Sequence, residues 1–261
     1  MSLAKNIKIT FLGTGTSQGV PVIACKCDVC TSADKKDKRL RSAILIESET
    51  TSVVIDTGPD FRYQMLREQV QKLDAVVFTH EHKDHIAGLD DIRAFNFQSG
   101  EKMKIYATER VQEALKREFS YVFADFKYPG IPEISLQTIQ HNQTFQIGDI
   151  HFQPIQVMHY KLPVLGFRIN DFTYITDANF ISEEEIEKIK GSKIVVLNAL
   201  RKQEHISHFN LEQAIEMMQK IQPEQAYFTH ISHLLGQHQV ISQELPSFIA
   251  LAYDGLSFSI D

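Results

Sequence analysis

The sequence predicts a layered α/β fold, and three observations carry that expectation. Short strands rich in β-branched residues alternate with amphipathic helices along the chain. A sheet-rich first half with its helices is followed by a second half of similar make-up, the pattern of stacked layers. Several polar clusters also fall directly after predicted strands, where an open sheet presents its sites.

The elements follow in order. Ile7 to Leu12 reads as a strand running into the loop Gly13-Thr14-Gly15-Thr16, and Ser42 to Glu49 and Ser52 to Ile55 as two more. Asp60 to Leu73 has helical spacing, with Phe61, Met65, Leu66 and Val70 on one stripe. The apolar run Ala75 to Phe78 reads as a buried strand that delivers Thr79 and His80. A helix near Leu89 to Phe95, a strand Met103 to Tyr106 and a helix Glu109 to Phe119 come next. Phe152 to Ile175 reads as strands and hairpins, Ile194 to Leu197 as another buried strand, and Leu211 to Ile221 as a helix. Gln225 to Thr229 is a strand ending on His230. A helix over Ile241 to Leu251 and a strand over Ser257 to Ile260 close the chain.

Of the 261 residues, 43% are hydrophobic and 23% charged, enough for a sizeable core, and residues 1–261 read as one domain without linker or repeat. A net charge of -6 with no basic block gives no strong polyanion grip on nucleic acid. Met1 to Lys8 lacks the apolar run of a signal peptide, and no stretch reaches membrane-spanning length, which predicts a cytoplasmic protein with no membrane partner. All three cysteines lie between Cys25 and Cys30, a spacing that argues against a disulfide framework.

The chemistry concentrates in Thr79-His80-Glu81-His82-Lys83-Asp84-His85. In an extended segment His80 and His82 face the same side, because side chains alternate with period two. Asp84 and His85 follow a bend and address a second point. Such a cluster is expensive to hold together without a cation, and imidazoles with a carboxylate suit zinc, manganese or iron. His159, Asp177 and His230 occupy further predicted strand ends and complete a ligand set. Cys25, Cys27 and Cys30 form a Cys-x-Cys-x-x-Cys triple that needs a fourth ligand for a tetrahedral zinc; His233, three residues beyond His230, is the candidate.

These residues resemble the metallo-β-lactamase superfamily of hydrolases over nearly the whole chain. The His-x-His-x-Asp-His signature matches residues 80 to 85, and the early Asp-x-Gly element matches Asp56-Thr57-Gly58. The resemblance implies a four-layered αβ/βα sandwich with the site between the two sheets. It implies that His80, His82 and His159 hold one metal, that Asp84, His85 and His230 hold the other, and that Asp177 bridges them, with Asp56 orienting ligands from behind. Attack would come from a hydroxide bridging two divalent ions, zinc or manganese. The cysteine triple with His233 resembles the PhnP-type phosphodiesterase branch, whose members carry one structural zinc there.

Within the superfamily, Gly13-Thr14-Gly15-Thr16-Ser17 and Gly19-Val20-Pro21 also resemble the phosphodiesterase branch. Asp84 and His208 are assigned to the reaction itself. His208, in His208-Phe209-Asn210-Leu211, occupies the place of the family's proton donor to the leaving oxygen, with His205 competing for the role. A predicted helix start there leads us to expect its dipole to hold the His208 pKa near neutrality. Arg201 is a candidate phosphate clamp. Only residues 160–176 separate His159 from Asp177, too few for the tRNA-clamping arm of ribonuclease Z. The expected partner is therefore a small cyclic or nucleotide-like phosphodiester and not tRNA, with a homodimer left open. The alternatives are a thioesterase or lactonase of the glyoxalase-like branch and an inactive metal-binding relative.

Overall fold

The computed structural model describes residues 4, 6–126 and 128–261. Among these residues, fourteen strands form two seven-stranded sheets. In the first sheet lie β1 (Ile7–Gly13), β2 (Ala43–Glu47), β3 (Ser52–Ile55), β4 (Ala75–Val77), β5 (Met103–Ala107) and β6 (Ile134–Thr138). The second contains β7 (Phe145–Ile147), β8 (Ile150–His159), β9 (Leu162–Ile169), β10 (Phe172–Tyr174), β11 (Ile194–Asn198), β12 (Gln225–Thr229) and β13 (Ile249–Leu251), while β14 (Ser257–Ile260) crosses back to the first. The orders, β14-β1-β2-β3-β4-β5-β6 and β13-β12-β11-β10-β9-β8-β7, mirror each other. The strands β3 to β6 run parallel, as do β10 to β13, and the rest pair antiparallel.

The helices are α1 (Asp28–Thr31), α2 (Phe61–Arg67), α3 (Lys83–Ile86), α4 (Arg93–Ser99), α5 (Glu109–Glu118), α6 (Ser120–Phe123), α7 (Glu183–Ile189), α8 (Leu211–Ile221) and α9 (His238–Glu244). Strand alternation divides the apolar residues among three buried layers. Ile44, Ile46, Val53, Ile55 and Val77 point between the sheets and meet Phe152, Phe167, Phe172 and Tyr174. Their neighbours Leu45, Val54, Val76 and Phe78 point outward onto Phe61, Phe95 and Leu115. On the far side Val157, Val195, Leu197 and Phe228 pack against Ile186, Ala214 and Met218. Helix, sheet, sheet, helix is the expected four-layered sandwich.

Some element bounds differ from expectation for readable reasons. The helix after Asp60 stops at Arg67 because Gln69 takes a left-handed φ of 53° and turns the chain back toward β4. The helix near Leu89 is a 3₁₀ turn (Leu89–Ile92) leading into α4. The final helix ends at Glu244, since Leu245 precedes Pro246 and must leave the helical region, and Ile249–Leu251 becomes a strand instead. Helix α7, not expected, starts on a Ser182 cap whose hydroxyl accepts from the Glu185 amide. No helix among the described residues is long and apolar enough to cross a membrane.

Candidate metal centre

Strand ends build the site. His80 follows β4, His159 is the last residue of β8, Asp177 follows β10 and His230 follows β12. Between them the turn into α3 supplies His82, which caps it, then Asp84 and His85. Gly58 allows this loop to close: a Cβ there would lie 2.2 Å from the Asp84 carbonyl oxygen. The Thr57 amide then donates to the His85 carbonyl at 2.8 Å.

Ligand-type atoms converge in groups: His80, His82 and His159 in one, Asp84, His85, Asp177 and His230 in another, and His159, Asp177 and His208 in a third. Asp177 is shared by two of these. Its carboxylate lies 3.8 Å from His80 Nε2, 3.5 Å from His85 Nε2 and 3.1 Å from His230 Nδ1. His80, His85 and His230 are almost fully buried and Asp177 is 2% exposed, so none of these polar groups is compensated by bulk water.

The surroundings fix which ring nitrogen faces inward. The Thr79 hydroxyl donates to Asp56 at 2.8 Å and so accepts from His80 Nδ1 at 2.9 Å. His85 Nδ1 donates to Asp56 at 2.7 Å, and His159 Nδ1 donates to the Ser207 carbonyl at 2.7 Å. Each of these imidazoles therefore turns Nε2 toward the centre. His80 Nε2 then faces His82 Nδ1 at 3.1 Å, and His85 Nε2 is buried without a hydrogen-bond partner. A buried imidazole nitrogen with no hydrogen-bond partner is costly unless a cation lies against it. The residues present fit divalent metals: three imidazoles on one side, two imidazoles and carboxylates on the other.

Electrostatics agree. Burial, with His85 next in weight, pushes His80 well below the usual histidine range, and burial lowers His230 likewise. Burial alone would also depress His85, but the carboxylates of Asp84, Asp177 and Asp56 outweigh it and raise its pKa well above the ordinary value. Burial opposes ionisation of Asp84 and Asp177, yet His85 beside the first, and His230 and His85 beside the second, hold both below the carboxylate range. The carboxylates thus stay charged, and a divalent ion would displace the proton they hold on His85.

His208 roofs the cluster. It is buried, its ring 4.5 Å from His159 and 4.9 Å from His230, and its Nδ1 has no partner. Burial pushes its pKa down to about 3. The expected helix dipole is not the cause: α8 starts at Leu211 behind an Asn210 cap, so His208 lies outside its first turn. His205 stands a layer behind, its ring 5.1 Å from His208 and its Nδ1 facing the Ser207 amide and hydroxyl. Arg201 is spent on its own loop, donating to the carbonyls of Gln203 and Glu204, and does not reach the site.

A second cluster lies outside the first. Cys25, Cys27 and Cys30 place their sulfurs 3.3, 3.4 and 3.5 Å from His233 Nδ1. Tetrahedral zinc with ordinary Zn–S and Zn–N bonds has ligand–ligand edges of roughly 3.5 Å. The Cys30 amide and then His233 lower the Cys27 thiol to about 6, while burial raises Cys30 to about 11. Three thiolates do not coexist here without a cation.

Sequence reasoning placed Thr16 in a family element without a role and did not single out Ser42; their hydroxyls lie 3.3 Å from His230 Nε2 and Nδ1 respectively. Nor did it find the Ser207 carbonyl, a backbone group with no residue signature, or the 2.6 Å pair of Arg110 with Glu81 at the cavity mouth.

Residues 51–231 match the beta-lactamase superfamily domain. A crystal structure described as a new diphosphatase from the PhnP family is 37% identical, with a TM-score of 0.93 over 99% of this chain and 98% of that one. The Zn(2+)-bound PqqB of Methylobacterium extorquens shares the fold at 20% identity, with a TM-score of 0.80 over 97% of this chain and 100% of that one. Among curated proteins, an octanoyltransferase of Porphyromonas gingivalis is 38% identical over 98% of this chain and 52% of its own length. A ribonuclease Z of Acaryochloris marina is 28% identical over 63% of this chain and 48% of its own. The chain thus spans about half the length of the curated relatives it matches.

Proposed function

Because this chain belongs to the metallo-β-lactamase superfamily, in its PhnP-type branch, we propose that it is a two-metal phosphodiesterase acting on a small cyclic or nucleotide-like substrate. His80, His82 and His159 would hold one divalent ion, zinc or manganese, and Asp84, His85 and His230 the other, with Asp177 facing both. When bound, the pair supplies Lewis acidity at the phosphoryl oxygen and brings the pKa of a water toward neutrality. The chain's own residues do the rest. Asp56, Thr79 and the Ser207 carbonyl orient the imidazoles, and the surrounding burial keeps the reacting groups out of bulk water.

The position of His208 carries the choice of phosphodiester. An alkoxide is a poor leaving group and needs a proton as it departs, and His208 is the one buried imidazole of the cluster outside the expected ligand set. Since burial holds it near a pKa of about 3, it is neutral in the free protein at pH 7. The negative charge of a bound phosphodiester opposes that depression, and His208 serves as the acid only in the substrate complex.

This yields a sharp test. His208→Ala should slow hydrolysis of 2′,3′-cyclic AMP, which releases an alkoxide, by about 100- to 1,000-fold. It should slow bis(p-nitrophenyl) phosphate, whose nitrophenolate leaves unaided, by less than about tenfold. Equal losses on both would remove His208 from the acid role, and dominant lactone or thioester turnover would remove the phosphodiesterase reading.

A diphosphate bond is the second reading, favoured by the 37%-identical structure described as a diphosphatase. It presents the same phosphorus with two bridging oxygens, so a diphosphate diester belongs in the same assay. Acyl transfer is less supported, since the octanoyltransferase is about twice the length of the matched segment. As for tRNA, residues 160–176 are consumed by β9, β10 and their turns and form no arm.

A further inference from the structure

We propose that Tyr160 and Ile206 form a slot for the planar organic group of the substrate, a nucleobase or aryl ring, and that Tyr160 thereby sets specificity. The inference rests on the phosphodiesterase reading above and extends it from the reacting phosphorus to the group attached to it.

A cavity of about 600 Å³ opens against the metal centre, with His82 and His159 on its floor and Tyr160, Lys161 and Ile206 on its walls. That volume suits a nucleotide-sized ligand. Tyr160 is 50% exposed and Ile206 67% exposed, so apolar surface is left in water at the mouth of an otherwise polar site.

Both walls are fixed. Tyr160 and Lys161 form the turn between β8 and β9, closed by the pairing of His159 with Leu162. Tyr160 takes a left-handed φ of 58° there. A bulky aromatic pays for that conformation where glycine or asparagine would adopt it with little strain, and outliers of this kind gather at ligand sites. Asn179 braces the strained turn, its Oδ1 accepting from the Tyr160 amide at 2.6 Å. Its Nδ2 donates to the Ile206 carbonyl at 3.2 Å, so one side chain sets the spacing of the two walls. Lys161 Nζ lies 5.3 Å from the centroid of the Tyr160 ring, steadying it through a cation–π contact. Nothing in the metal centre itself requires an aromatic side chain at this turn: the His159 ring is held by the Ser207 carbonyl instead.

Two substrates with one leaving group isolate the slot. Thymidine 5′-(p-nitrophenyl) phosphate and methyl p-nitrophenyl phosphate both release nitrophenolate but differ in the group retained. Tyr160→Gly keeps the left-handed turn accessible and removes the aromatic side chain. It should lower kcat/KM for the thymidine ester by about tenfold or more, chiefly through KM, as loss of one base–aromatic stack does. The methyl ester, and competitive inhibition by inorganic phosphate, should change by less than twofold, and Tyr160→Phe should retain most of the thymidine preference. Equal losses on both esters, or weakened phosphate inhibition, would overturn the slot by showing that Tyr160 acts only through the position of His159. No change on either ester would overturn it too. A wild-type protein inert on both esters would instead bring down the phosphodiesterase reading, and the slot with it.

Discussion

The two candidate metal-binding clusters of this molecule are built in opposite ways. The histidine–aspartate centre collects its residues from the ends of β4, β8, β10 and β12, which belong to both sheets, and from the turn into α3. It therefore exists only once the whole sandwich has formed. The cysteine centre takes three ligands from six consecutive residues and one from the turn after β12, and Cys25, Cys27 and His233 are only half-buried. The first positions chemistry by topology. A zinc held by the second would fasten the Cys25–Cys30 loop to the segment after β12. They meet in one short segment, where His230 faces the first cluster and His233 the second. A function that needs a rigid, dry arrangement of charges is placed where both sheets end, whereas a clip can sit at the surface.

Separating the clusters by mutation tests that contrast, and the largest effect belongs to the buried one. Asp177→Asn keeps shape and removes the charge facing both halves of the centre. We expect kcat/KM to fall on the order of 1,000-fold, because several kcal/mol of charge stabilisation is lost. Thermal stability should fall little by comparison. A loss below tenfold in steady-state assays would mean that Asp177 is not shared between two cations.

Cys27→Ser should behave in the converse manner. We expect about one zinc per chain to disappear and the melting temperature to drop by about 10 °C, equivalent to a few kcal/mol in a chain of this size. Activity of the folded fraction should stay within about threefold, since no cysteine reaches the reacting groups. Unchanged zinc content by elemental analysis would refute the clip.

The smallest effect concerns the segment following the cysteine loop. His238 Nδ1 accepts from the buried guanidinium of Arg39 at 3.1 Å, and its amide donates to Asp37 at 2.7 Å. Burial, then Arg39, depresses its pKa from 6.5 to about 4. The unfolded chain takes up a proton on this ring below 6.5 and the folded one does not. Stability is thus fully present above that value and is lost as pH falls toward 4, by about 1–2 kcal/mol after solvent screening. His238→Asn, which keeps an acceptor for Arg39, should make the fall in melting temperature between pH 6.5 and pH 4 shallower, and an unaltered slope would exclude His238 as a contributor.

How much of this was legible beforehand depends on the kind of signal. The buried apolar run Ala75 to Val77 and the strand Gln225 to Thr229 announced both themselves and the ligands at their ends. The His-x-His-x-Asp-His run and the cysteine triple are local in sequence, so their residue types could be read directly. What failed was non-local. The pKa of His208 depends on burial under a loop that no window reveals, so the helix-dipole argument gave the wrong cause. Arg201 looked available because its partners are backbone carbonyls of its own loop. The end of α9 was readable from Leu245-Pro246 and was outweighed by longer apolar spacing, while the Ser182 cap that starts α7 was readable and went unused.

The contrast between the clusters is tested most directly by metal counting during graded chelation. We expect about three ions per chain in the intact protein. Two should leave together on mild chelation, with phosphodiesterase activity lost and the fold retained. The third should stay until Cys25, Cys27 and Cys30 are oxidised or the chain unfolds. A single ion per chain, or loss of all three in one step with unfolding, would contradict the division of this molecule into a catalytic pair and a structural clip.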